Sequence, residues 1–137
     1  MSKVILDPHP REIEDIFSSS TKITLSSLHR VIEFDGEDRL SFYNENIEDT
    51  DFIIGQPDLD ASLIERSKKL KAVFNVEGNF MPNIDYAACH LKGIRVLTPS
   101  SVFAVPVAEL AIGMMISLAR GIHTAHGDFL NGKELYG

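Results

Sequence analysis

Residues 71–85 read KAVFNVEGNFMPNID and combine a strand, a glycine loop and the start of a helix. The apolar run at 72–76 predicts a buried strand, and Glu77-Gly78-Asn79 has the composition of a loop. A helix opening at Asn83 is expected to follow. Open α/β sheets hold small anionic ligands on free backbone N–H groups at the carboxyl ends of their strands. The stretch therefore predicts a binding loop.

Short apolar segments recur on both sides of this stretch, with helical segments between them. Strands are predicted at residues 4–6, 31–34, 52–54, 72–76 and 94–97. Strands that alternate with helices indicate βαβ units and a parallel sheet, so the fold class is α/β. The helices between the strands are predicted at about 12–17, 24–30, 40–47, 60–71 and 83–91, with a polar break at 18–21.

The ends of two of these helices carry their own signals. Asp60 is expected to cap one helix, with Lys68, Lys69 and Lys71 near its negative end. Gly93 follows Lys92 in the way of a glycine that terminates a helix.

One long helix, from Pro106 to Ile122, is predicted to be apolar on nearly every side. A helix of this kind must be covered all round. Pro106 and Glu109 interrupt the apolar run, which favours a buried helix over a membrane span. We therefore expect its surface to meet another chain or another domain, and we expect no membrane association.

Composition restricts the class of protein. The 137 residues are 44% hydrophobic, enough for one globular domain with a core. The formal net charge is −7, and residues 1–60 carry 5 Lys/Arg against 14 Asp/Glu. An acidic first half repels phosphate backbones, so nucleic acid is not an expected partner. Cys89 is the single cysteine and the start has no secretory pattern, which indicates a cytoplasmic protein.

The loop has two interpretations on local pattern alone. Glu77, Gly78 and Asn79 could hold a carboxylate on successive backbone N–H groups, with Gly78 allowing close approach and a positive φ. The alternative is an ordinary turn between a strand and a helix. Glu77 places a negative charge beside the proposed anion site, so its side chain should point away or accept a hydrogen bond.

Other chemical motifs are weak in this sequence. His123 and His126 stand three residues apart with Asp128 nearby, but a polar helix end explains them better than a metal site does. Cys89 follows two alanines and is expected to be a small core residue. The sequence contains no G-x-S-x-G, no P-loop and no G-x-G-x-x-G. We assign no catalytic, cofactor-binding or metal-binding residue.

Two runs nevertheless carry a family likeness: VFNVEGNFMPNIDYAACHLKGIRVLTPSS at 73–101 and VPVAELAIGMMISLARGI at 105–122. They resemble the D-isomer-specific 2-hydroxyacid dehydrogenases, in which a glycine-containing substrate loop precedes an Asn-Ile/Val-Asp sequence. The segments that match the family pattern are Asn83-Ile84-Asp85, Gly93-Ile94-Arg95-Val96, Val107-Ala108-Glu109-Leu110 and Leu118-Ala119-Arg120. The likeness extends more loosely to LDPHPR and DFIIGQPDL near the amino terminus.

The resemblance implies a flavodoxin-like substrate domain, an open sheet of about five parallel strands with helices on both faces. It also implies an intact enzyme that uses NAD or NADP, bound by a Rossmann domain. The substrate carboxylate would be bound partly by Glu77, Gly78 and Asn79. The family's arginine, histidine and acidic residue normally lie further along the chain, so none is assigned here. The usual loop reads closer to Gly-Val-Gly-Tyr-Asp-Asn-Ile-Asp, whereas this one is one residue longer and has one glycine.

Two hypotheses follow from these observations. The first is that residues 1–137 are an incomplete substrate domain of an NAD(P)-dependent 2-hydroxyacid dehydrogenase, an oxidoreductase, without its Rossmann domain and inactive alone. Its partners would be a small 2-hydroxy or 2-oxo acid and either the Rossmann domain or a homodimer partner meeting the helix from Pro106 to Ile122. The second is a free-standing flavodoxin-like binding or dimerisation module without catalysis.

Overall fold

A computed structural model describes residues 1–133 of the chain. These residues form two compact units, the first spanning Met1–Ser100 and the second beginning at Ser101. The predicted sheet lies entirely in the first unit, and the long apolar helix lies almost entirely in the second.

The first unit is built on five parallel strands in the order β2-β1-β3-β4-β5. This order confirms the predicted α/β class and is that of flavodoxin-like folds. Each strand lies within two residues of its predicted position, because short apolar runs rich in Val, Ile and Phe suit a buried parallel sheet. The strands are β1 Lys3–Asp7, β2 Arg30–Glu33, β3 Phe52–Gly55, β4 Ala72–Asn75 and β5 Arg95–Leu97.

The described residues contain seven α-helices: α1 Ile13–Ile16, α2 Ser19–Leu28, α3 Arg39–Asn46, α4 Ala61–Arg66 and α5 Tyr86–Lys92 in the first unit, then α6 Ser100–Ala119 and α7 Ile122–Leu130. Right-handed crossovers place α3, α4 and α5 on one face of the sheet, and the helices between β1 and β2 on the other. The core lies between the sheet and the helices α3, α4 and α5. It includes Ile5, Ile53 and Val73 from the strands and Tyr43, Ile64 and Cys89 from the helices.

The predicted start of the second helix was wrong. Ser19–Thr21 belong to α2, because the Ser18 side chain accepts a hydrogen bond from the Thr21 N–H and caps the helix there. The predicted cap at Asp60 is confirmed, since its carboxylate accepts from the Leu63 N–H at 2.8 Å.

The predicted end of the helix after Asp60 was also wrong. The helix stops at Arg66 rather than continuing to residue 71. The Ser67 hydroxyl donates to the Ile64 carbonyl, and the Lys68 N–H donates to the Glu48 carbonyl, a tertiary contact that draws the chain out of the helix.

The helix expected to open at Asn83 begins instead at Tyr86, with Asp85 as its cap. Asn83 donates from its side chain to the Pro57 carbonyl at 2.5 Å, and Ile84 forms a bridge with Leu59. These contacts hold residues 83–85 in an extended form. The predicted stop at Gly93 is confirmed by its left-handed φ of 73°.

The second unit corrects the prediction of one helix from Pro106 to Ile122. α6 begins at Ser100 and continues through Pro106, which lacks a backbone N–H donor. It ends at Ala119, and Gly121, with φ of 61°, begins α7. The apolar character of α6 is as predicted, and its side chains are exposed, including Leu110 at 65%.

Candidate functional site

The candidate loop follows β4, next to the central strand β3, at the edge of the sheet where the strands have their carboxyl ends. There, Asp7 of β1 is paired with Gly55 of β3, and Gly55 is paired with Asn75 of β4. Gly55 has φ of 150°, and a Cβ on it would lie 1.9 Å from the Asp7 carbonyl oxygen. The two strands approach closely here only because residue 55 has no side chain.

Glu77, Gly78 and Asn79 follow β4 directly. In residues 1–133 none of their three backbone N–H groups donates to a backbone or side-chain acceptor. Backbone N–H groups that are left without acceptors at the end of a parallel strand are available to bind an anion. The binding role of the loop stays a prediction.

Both ends of the loop are anchored. The Ser100 hydroxyl donates to the Gly78 carbonyl and lies 2.8 Å from the Thr98 hydroxyl. At the other end, the Tyr86 hydroxyl donates to the Met81 carbonyl, and its ring packs edge-on against Phe80 at 5.4 Å between centroids. These contacts therefore tie the loop to the rest of the first unit at Gly78 and Met81.

Gly78 differs from the expectation in one respect. Its φ is not positive, unlike that of Gly55 or Gly93, so the predicted positive φ at this residue was wrong. The nearest atom to a Cβ on Gly78 would be the Ser100 hydroxyl oxygen at 4.0 Å. The glycine therefore leaves open space beside the donors, which permits the close approach that was expected.

The charge of Glu77 is compensated by an arginine from a distant part of the chain. The Arg11 Nε donates to Glu77 Oε1 at 2.7 Å. This hydrogen bond and the positive charge lower the pKa of the Glu77 carboxyl below its ordinary value. The side chain of Glu77 acts as an acceptor, which is one of the two arrangements predicted for it.

A buried charge cluster at the end of β1 was not predicted. The fully buried Asp7 carboxylate accepts from the Tyr43 hydroxyl at 2.9 Å and from Arg39 Nη2 at 3.0 Å. Arg39 also donates to Asp58 at 2.9 Å. Burial raises the pKa of Asp7 above its ordinary value, although Tyr43 and Arg39 act in the opposite direction. An aspartate ending a buried strand was a visible signal, but its partners come from a helix more than 30 residues away.

Two amide side chains at the same edge lack partners among the described residues. Asn75 is 3% exposed, and neither its Nδ2 nor its Oδ1 forms a hydrogen bond. Gln56 follows β3, and its buried Nε2 and Oε1 atoms also form no hydrogen bond in the described residues. Asn75 ends β4 and Gln56 follows β3, so both side chains lie at the sheet edge from which the candidate loop leaves.

The other sequence candidates do not come together as a site. His123, His126 and Asp128 lie on α7, and the described residues contain no group of three or more metal-ligating side chains arranged around a common point. Cys89 is 1% exposed in the core, as predicted, and burial raises the pKa of its thiol.

Comparison with known proteins gives the loop a context. The chain is 40% identical over 73 residues to a hydroxypyruvate reductase of Thermotoga maritima, covering 53% of this chain. It is 32% identical over 104 residues to a D-3-phosphoglycerate dehydrogenase of Methanocaldococcus jannaschii, covering 68% of this chain. The crystal structure of a phosphoglycerate oxidoreductase from Rhizobium etli superposes on the whole chain with a TM-score of 0.83 at 36% identity. The homologues of this chain are D-2-hydroxyacid dehydrogenases.

The chain corresponds to only part of each 2-hydroxyacid dehydrogenase that it matches. It spans 24% and 20% of the two curated relatives and 43% of the Rhizobium etli protein. No protein-family model matches the chain. Structural neighbours at lower identity, which show the fold alone, include enzymes solved with NAD or NADPH.

Proposed function

We propose that residues 1–137 are the substrate-binding part of an NAD(P)-dependent 2-hydroxyacid dehydrogenase. The backbone N–H groups of Glu77, Gly78 and Asn79 would bind the carboxylate of a 2-hydroxy or 2-oxo acid. The observation that supports this most directly is that these three donors are unpaired at the carboxyl end of β4. The homology to D-2-hydroxyacid dehydrogenases supplies the substrate class.

The reaction of the intact enzyme would transfer a hydride between C2 of the acid and the nicotinamide. The loop's part in this is to fix the carboxylate and thereby orient C2, which contributes through positioning. Residues 1–137 contain no G-x-G-x-x-G pattern for dinucleotide binding, which supports binding of the cofactor by a separate Rossmann domain. We propose that these residues alone do not turn over substrate.

The exposed surface of α6 supports a partner for the second unit. By length and composition this helix could cross a membrane, with a mean hydropathy of 2.0, but core helices of soluble proteins meet the same criterion. Glu109 in the helix and the homology to dehydrogenases favour coverage by protein. We propose that α6 is covered by the Rossmann domain or by a second copy of the chain, in a cytoplasmic protein.

The same surface favours a second candidate function, a binding or dimerisation module without catalysis. Size-exclusion chromatography with light scattering separates the two. A stable, monodisperse dimer of residues 1–137 favours the module, whereas aggregation favours a domain that needs its Rossmann partner.

Substrate binding can be tested by titrating the ¹⁵N-labelled chain with pyruvate and comparing Gly78→Ala with wild type. The added methyl group has space within the fold but crowds the donors, so binding should weaken by about tenfold. Gly113→Ala is the matched control, because its Cβ would meet nothing within 4 Å and it lies in α6. Equal affinity in all three proteins would refute the assignment of the loop.

A further inference from the structure

The proposed anion site contains a negative charge of its own. Glu77 contributes one of the three unpaired N–H groups, and its carboxylate belongs to the same residue. A carboxylate beside an anion site repels the ligand over distances of several ångströms. A loop with an uncompensated Glu77 would therefore bind a 2-oxo acid poorly.

Arg11 compensates this charge through a direct contact with the Glu77 carboxylate. It lies between β1 and α1, 66 residues from Glu77, and its N–H donates to the Pro8 carbonyl at 3.0 Å in a turn. The guanidinium side chain is 49% exposed and meets Glu77, which is 35% exposed. A bond between two separate loops at one sheet edge places a positive charge beside the proposed ligand.

We propose that Arg11 is a positioning residue that neutralises Glu77 and thereby allows the loop to accept an anion. The inference rests on the proposed function of the loop. Arg11 touches Glu77 through Nε, and in the described residues its two Nη groups donate to no acceptor. Asp15 lies near enough to raise the pKa of the guanidinium further, after the hydrogen bond and charge of Glu77, so Arg11 stays charged.

The competing explanation is that the ion pair only ties two loops together. The two explanations differ in what happens when both residues are replaced. If Arg11 acts by neutralising charge, removing Glu77 as well makes Arg11 unnecessary. If the pair acts as a mechanical tie, the double variant is as impaired as the single variant.

The test is a double-mutant cycle in the full 137-residue chain, with pyruvate as the ligand and the Gly78 and Asn79 amide signals as the readout. Arg11→Gln should weaken binding about three- to tenfold at low ionic strength. Glu77→Gln should bind at least as tightly as wild type. The double variant should return to within about twofold of wild type. The same titrations in about 0.5 M salt should reduce the difference between Arg11→Gln and wild type.

A matched control is the ion pair of Lys22 and Glu33, which is exposed to a similar degree and lies elsewhere in the fold. The distance from Lys22 Nζ to Glu33 Oε1 is 3.1 Å. Lys22→Gln and Glu33→Gln should leave pyruvate affinity unchanged. Wild-type affinity in Arg11→Gln, or a double variant as weak as Arg11→Gln, would overturn the inference while leaving the loop's function intact. No pyruvate-dependent shift in the wild-type loop would overturn the proposed function and this inference with it.

Discussion

The hydroxyl of Tyr43 donates a 2.9 Å hydrogen bond to the carboxylate of Asp7, and both side chains are at most 1% exposed. The bond joins α3 to the end of β1, beneath the edge of the sheet that carries the loop. Asp7 has a second donor in Arg39, so its two oxygens are both satisfied. The cluster therefore ties α3 to the carboxyl end of β1.

Tyr43→Phe removes this hydroxyl and leaves one oxygen of Asp7 without its partner. We expect the free energy of unfolding to fall by about 1–3 kcal/mol, the cost of leaving a buried acceptor unsatisfied. Urea denaturation followed by circular dichroism measures the change. Tyr86→Phe is a useful comparison, because Tyr86 is only partly buried and its partner is a loop carbonyl.

The raised pKa of Asp7 predicts an unusual contribution to stability against pH. The folded protein binds the Asp7 proton more tightly than the unfolded chain, whose value is near 3.8. The contribution of Asp7 to stability is therefore full below pH 3.8. It is lost as the pH rises through the higher pKa that Asp7 has in the folded protein. The free energy of unfolding of wild type minus that of Asp7→Asn should decrease as pH rises over that window. A difference that increases with pH would contradict the raised pKa.

Lys92 provides a test of how α4 is terminated. Its Nζ donates to the carbonyls of Ile64 and Glu65 at 2.6 Å and of Ser67 at 2.9 Å. Lys92→Met keeps the stem and removes the charge. It leaves the Glu65 and Ser67 carbonyls without this donor, while Ile64 keeps the Ser67 hydroxyl, and should destabilise by about 1–3 kcal/mol. Lys69→Met serves as the control, since Lys69 makes no hydrogen bond in the described residues and should change stability by less than about 0.5 kcal/mol.

Gly55→Ala tests the close approach of β1 and β3. A Cβ at this position would lie 1.9 Å from the Asp7 carbonyl oxygen, and the residue has a positive φ. We expect a loss of more than about 3 kcal/mol or failure to fold, because backbone atoms cannot move aside as a side chain can. A melting temperature close to that of wild type would show that the strands are further apart than described.

The sheet could be predicted from the sequence because each strand is a short apolar run with polar segments at its ends. Helix boundaries depended on contacts that the sequence does not display. Asn83 was expected to open α5, but it binds the Pro57 carbonyl, 26 residues away. α4 was expected to be longer, but it ends where Lys68 meets the Glu48 backbone. These contacts compete with helical hydrogen bonds and prevail locally.

The position of the loop could likewise be predicted, because a glycine that follows an apolar strand can be read directly from the sequence. Its electrostatics could not. Glu77 alone suggested repulsion, and the compensating Arg11 lies 66 residues earlier with no pattern connecting the two. The unpaired amides of Asn75 and Gln56 were missed because burial of a polar side chain is not marked in its sequence neighbourhood.

We propose that the loop after β4 binds the carboxylate of a 2-oxo acid. The most direct measurement is a titration of the wild-type, ¹⁵N-labelled chain with pyruvate, following every backbone amide. If the loop binds the carboxylate, the shifts should be saturable and concentrated at Glu77, Gly78 and Asn79, with little change at the amides of α6. Shifts absent from these three residues, or spread evenly over the surface, would contradict it.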